Sequence, residues 1–155
     1  MNEIKVGRMF LAASAMFIVW IALEILAQSI FALIAERFFL QTSEEMWRQV
    51  VDVSQWTGLN TAVNTFITVV NCTILIWLYA SLRPMYGVGA KTALITSAFG
   101  IAWLFSIFAS LANLGLIPPQ LALLDGVIEA IELPIVMFVA ASVYEGPEKE
   151  PQETE

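Results

Sequence analysis

The sequence predicts an all-α integral membrane protein, a four-helix transmembrane bundle with a short interfacial amphipathic helix between its first and second spans. Three observations carry this reading. Of 155 residues, 59% are apolar and only 14% are charged, where a soluble domain carries roughly a quarter of its residues as Asp, Glu, Lys and Arg. Mean hydropathy is +0.77. Four apolar segments, 9–35, 57–82, 92–117 and 119–143, each reach the ~20 residues or more that cross a ~30 Å hydrocarbon layer. Runs of this length without period-2 alternation are helices, because lipid offers backbone N–H and C=O groups no partner and a helix pairs them internally.

The first span follows Lys5 and Arg8 and stops at Glu36 and Arg37. It is too long for the apolar core of a secretory leader and lacks an A-x-A cleavage pattern, so it reads as a retained helix. Between the first and second spans, Thr42 and Glu45 have the spacing of a capping box. Met46, Trp47, Val50 and Val51 then recur at helical spacing, and Glu44 and Arg48 stand as an i,i+4 pair on the other face. That pattern predicts a helix over 43–55 lying on the membrane surface, with Trp47 and Trp56 at the interface. A capped extension packed against the bundle fits it equally well.

The second span ends at Arg83 and Pro84. The loop 84–91 holds two glycines and a lysine but lacks the P-loop spacing, so it reads as a turn. Lys91 precedes the third span, and the few residues at 115–119 force an antiparallel hairpin into the fourth. Pro118 and Pro119 open that helix, where a missing N–H costs nothing. The segment 145–155, rich in Glu and Pro, reads as a disordered acidic tail. Four spans put Lys5, Arg8, Arg83, Lys91 and Lys149 on one side of the membrane and Arg37 and Arg48 on the other. The positive-inside rule then expects both termini in the cytoplasm.

The composition removes several function classes. There is no histidine and a single cysteine, Cys72, so His-based acid–base catalysis, His/Cys zinc sites and an intrachain disulfide are excluded. No basic stripe suggests nucleic acid. The expected surroundings are membrane lipid, with a homodimer or a larger membrane complex both open. No residue pattern points to a cofactor, and an enzyme is the weaker expectation.

The sharpest feature is a set of acids inside the apolar segments. Asp125, Glu129 and Glu132 are spaced i, i+4, i+7 and share one face of the fourth helix. Glu24 lies within about one helical turn of the same depth on the first span, with Gln28 one turn further along. An ionisable group at the bilayer centre costs at least ~2.5 kcal/mol, and no Lys or Arg lies inside any span to compensate. Interhelical polar contacts in membranes contribute only ~0.6 kcal/mol on average, too little to justify four buried carboxylates as glue.

The second span adds Asn60, Asn64, Thr68 and Asn71 on one stripe, and the third adds Ser106, Ser110 and Asn113, with Trp103 one turn away. The simplest bundle points all these faces inward. Pro134 removes the donor for the carbonyl of Ala130, beside the acids. Glu24, Asp125, Glu129, Glu132, Asn64, Asn71 and Gln28 are therefore the candidate site for a proton, a metal ion or an organic ammonium. Oxygen-only ligands suit hard cations over zinc or copper. Three functions fit: a pocket that binds or moves a cation, a non-catalytic subunit of a larger membrane complex, and an intramembrane isomerase-type enzyme acting on a lipid-soluble substrate.

Overall fold

The computed structural model describes residues 5–38, 45, 46, 48 and 58–146. Its helices are α1 (Val6–Phe38), α2 (Gly58–Tyr86), α3 (Ala90–Asn113) and α4 (Pro119–Glu145). All four are long and apolar enough to cross a membrane, and no strand occurs among the described residues. The chain is thus an integral membrane protein by length and composition of its helices. Of the surface helix expected over 43–55, only Glu45, Met46 and Arg48 are described, in helical conformation; the rest lies outside the described residues, as does 147–155.

The helix ends differ from the sequence reading where local capping decides them. α2 runs to Tyr86, past Pro84, because proline in a last turn strips a single backbone bond and the Gly87 N–H still closes on the Arg83 carbonyl at 2.9 Å. α3 stops at Asn113 rather than at 117. Gly115, at φ +72°, ends it in a Schellman turn: the Leu116 N–H donates to the Leu111 carbonyl and the Gly115 N–H to the Ala112 carbonyl. Pro119 is the first helical residue of α4. Glu145, the first residue of the expected tail, instead ends α4 and is tied into the bundle.

α4 packs along both α1 and α3, while α2 closes the ring between α1 and α3 and meets α4 least. Without a hydrophobic driving force between helices in lipid, close packing depends on small residues that let backbones approach. The half of the bundle carrying the termini supplies them: Ala12, Ala13, Ala93, Ala140 and Ala141 are buried there around Met16, Tyr79 and Tyr144. Gly100 completes the fit, since a Cβ there would come 2.4 Å from Leu133 Cδ2.

Polar contacts then lock this end. The Tyr79 hydroxyl donates to Glu145 Oε1 at 3.0 Å and accepts from the Gly89 N–H at 3.1 Å. Arg83 Nη2 pairs with Glu145 Oε2 at 2.9 Å. The Arg8 guanidinium donates to the Glu145 and Tyr144 carbonyls at the end of α4, where cations are favoured by the helix dipole.

The opposite half is open. Residues 58–67 of α2 are all exposed, with Leu59 72% and Phe66 67% accessible. A small second core of Ile117, Leu121 and Ala122 holds the α3–α4 hairpin, and Met46 packs against it together with Phe108 and Leu111.

The asymmetry generates a prediction. Tyr79→Phe removes the donor to Glu145 and the acceptor for Gly89, and should lower stability by about 1–2 kcal/mol. Ser106→Ala, whose exposed hydroxyl bonds only to the Ala102 carbonyl of its own helix, should change it by less than about 0.5 kcal/mol. Unfolding titrations with SDS in mixed micelles read both.

Candidate functional site

The acids sit between the two cores, where α1 and α4 run antiparallel. About two turns of α1 from Trp20 through Glu24 to Gln28 therefore face about two turns of α4 from Glu132 through Glu129 to Asp125. Glu24, Gln28, Asp125 and Glu129 line one cavity of about 150 Å³, with Phe108 of α3 and Ile128 completing its wall. Gln28 Nε2 donates to Glu24 Oε1 at 2.8 Å, which fixes that carboxylate one turn away on the same helix. The Trp20 indole approaches Glu129 across the α1–α4 interface, with its N–H as the donor side of that contact.

Glu132 is more deeply set. It is 3% exposed, and neither of its carboxyl oxygens has a hydrogen-bond partner among the described residues; Glu129 Oε2 is in the same position. Glu24, Asp125 and Glu132 all lie within electrostatic range of Glu129, and Glu24 within range of Glu132. No basic group stands among the neighbours that act on Glu129 or Glu132. Arg8 and Arg83 are engaged with Glu145 at the far end of α4.

Pro134, half-buried two residues beyond Glu132, lies inside α4 and leaves the Ala130 carbonyl without its helical donor. Natural proteins satisfy most buried polar atoms; among the described residues, three of the four buried side-chain atoms without a partner belong to Glu129 and Glu132, and the fourth is Arg83 Nε at the other end of the bundle.

The remaining candidates are placed differently. Asn71 is half-buried and lines a neighbouring apolar cavity, not the acidic one. Asn64 and Asn60 are exposed on the open half of α2, and the acids do not meet them. Ser106, Ser110 and Asn113 are exposed as well. The all-inward arrangement of polar stripes is thus corrected: only α1 and α4 turn theirs toward each other. The physical reason is local. Thr68, Ser106 and Ser110 each donate to the carbonyl four residues earlier, so their hydroxyls are satisfied within their own helices and place no demand on facing.

Sequence reasoning missed Trp20, Phe108 and Ile128. Trp20 had a legible signal, since it stands four residues before Glu24 and so on the same face. Phe108 and Ile128 are apolar wall residues and carried none.

Among the described residues, no three Asp, Glu or Cys side chains come close enough together to hold a metal ion. The acids surround a space rather than a point, an arrangement suited to a proton or to a cation with a body of its own.

A scan against protein-family models gives no match, and searches of curated proteins and of solved structures give none either.

Burying a polar atom without a partner costs about 1–3 kcal/mol. Glu132→Met, similar in length and free of that cost, should therefore raise the stability of the ligand-free protein by about that amount in an SDS unfolding titration. A loss of stability would show that Glu132 has a partner in the folded protein.

Proposed function

We propose that this chain is a small polytopic membrane protein whose intramembrane carboxylate pocket binds or moves a cation. One observation supports this above the others: among the described residues, three buried carboxyl oxygens of Glu129 and Glu132 have no hydrogen-bond partner, Glu24 acts on both acids, and no basic group does. A buried acid with no counter-charge is expensive, and stability alone gives no reason to place several of them together. A ligand that supplies positive charge offsets the cost and accounts for the placement.

The cation is a proton or an organic ammonium in preference to a bare metal ion, because the carboxylates surround a cavity without converging as ligands. The distribution of Lys and Arg puts both termini and the Tyr79–Arg83–Glu145 lock in the cytoplasm, so that the acidic cavity opens toward the outer half of the membrane. A role as accessory subunit draws its support from the exposed apolar surface of α2 at Leu59, Phe66 and Ile67, which a neighbouring chain would cover as well as lipid does.

A ligand that binds only the folded state stabilises it by about 2.7 kcal/mol at a hundred times its Kd, so thermal unfolding in detergent reads binding directly. Na+, K+, Ca2+, Mg2+ and tetramethylammonium are added separately to wild type, Glu129→Gln and Glu24→Gln. The proposal expects at least one of them to raise the wild-type midpoint saturably and to lose that effect in Glu129→Gln, with both variants folded. No shift in wild type, or equal shifts in all three proteins, would argue against the pocket.

A further inference from the structure

The acidic cavity has an apolar neighbour. A second cavity of about 270 Å³ opens between α1, α2 and α3, and Trp20, Leu75, Phe99, Gly100 and Trp103 are among its walls. Trp20 belongs to both places: it lines the apolar cavity and its side chain approaches Glu129. The two cavities are also linked along α3, where Leu104 lines the apolar one and Phe108, one turn on, the acidic one. Glu129 acts electrostatically on Cys72, the residue beside Asn71 in the α2 wall of the apolar cavity. Glu129, which lines the acidic cavity and approaches Trp20 of the apolar one, therefore stands at the junction of a charged compartment and an aromatic one, with the buried Glu132 one turn away on the same helix.

We infer that the ligand of this site is an amphiphilic organic cation, its ammonium head between Glu24 and Glu129 in the acidic cavity and its apolar body in the Trp20–Phe99–Trp103 cavity. This rests on the carboxylate pocket proposed above and adds the chemical class of what fills it. Three physical features select that class. Carboxylates without basic neighbours demand positive charge. Indole faces attract cations and pack against apolar groups. The two volumes together fall within the roughly 300–1,000 Å³ of small-molecule sites, far more than an inorganic ion or a proton occupies. The apolar cavity lacks a rigid lid at its α3 wall, where Phe99 and Trp103 are more than half exposed, so a lipid-soluble body has a lateral route into it.

Three probes separate head from body: tetramethylammonium, benzyltrimethylammonium, and neopentylbenzene, the uncharged carbon isostere of the second. Their affinities are read from saturable rises in the thermal unfolding midpoint in detergent, for wild type, Trp103→Ala, Phe99→Ala and Glu129→Gln. Benzyltrimethylammonium should bind wild type at least tenfold more tightly than tetramethylammonium, and neopentylbenzene should give no saturable shift. Trp103→Ala and Phe99→Ala should each shrink the tenfold gain to threefold or less without changing tetramethylammonium binding, while Glu129→Gln abolishes both cations.

If tetramethylammonium binds in a Glu129-dependent way but the benzyl compound binds no more tightly, or its gain survives both aromatic truncations, the two-compartment site is wrong and the carboxylate pocket stands. Neopentylbenzene binding as tightly as its cation also overturns the inference, making the aromatic cavity a hydrocarbon site. If neither ammonium binds wild type, the inference fails, and a wild type that also ignores the inorganic cations takes the pocket with it. The wild-type ligand series decides among these outcomes even where an aromatic variant does not fold.

Discussion

Carboxyl groups placed in oil without basic partners are the constraint on which the rest of this structure depends. Other polar groups of the bundle find partners nearby: the hydroxyls of Thr68, Ser106 and Ser110 in their own helices, and Arg83 Nη2 and the Tyr79 hydroxyl at Glu145. Glu129 and Glu132 alone combine deep burial with carboxyl oxygens that no described group satisfies. Their placement follows from the antiparallel contact of α1 with α4, which sets Glu24 against the α4 stripe at one depth. A parallel pairing or a register slip of one turn would separate them.

The bundle divides its labour by depth. At the end with the termini, alanines on α1, α3 and α4 allow close approach, and a polar lock of Tyr79, Arg83 and Glu145 ties the C-terminus of α4 to α2 and to the Gly89 turn. Toward the other end the first turns of α2 are exposed, and the described side chains leave the two cavities between the helices. Ligand sites are drawn from the less stable parts of a structure, and here the site lies where packing thins out. A rigid end and an open end in one small bundle let the acids be held in register by the first without being compressed by the second.

Much of this was legible in the sequence, because the signals are coarse and physical. Hydropathy and length gave four spans, and Pro118, Pro119 and the short link before them gave the α3–α4 hairpin. The i, i+4, i+7 spacing of Asp125, Glu129 and Glu132 gives a common face, and depth arithmetic puts Glu24 near it; of these, Glu24, Asp125 and Glu129 line one cavity with Gln28, and Glu132 does not. What the sequence could not resolve is which polar stripes face inward. A hydroxyl bonded to its own helix looks the same in sequence as one bonded across an interface, and Asn64 carries no mark of whether its half of α2 is packed. Helix ends shifted for similar reasons: the capping turn at Gly115 and the tolerance of a last-turn proline at Pro84 are tertiary or local geometric outcomes that hydropathy does not encode. The aromatic compartment was invisible except at Trp20 and Trp103, since apolar wall residues resemble any other lipid-facing ones.

Glu129 and Glu132 hold carboxyl oxygens that no described group of this chain satisfies, and on the proposed reading they accept a cation. Dicyclohexylcarbodiimide, which enters apolar surroundings and modifies protonated carboxyl groups there, tests it most directly when the adducts are located by peptide mass spectrometry. The account predicts modification of Glu129 or Glu132 in the ligand-free protein and its suppression, in a saturable way, by benzyltrimethylammonium. Absence of any adduct on these two residues, or labelling that no cation reduces, would contradict it.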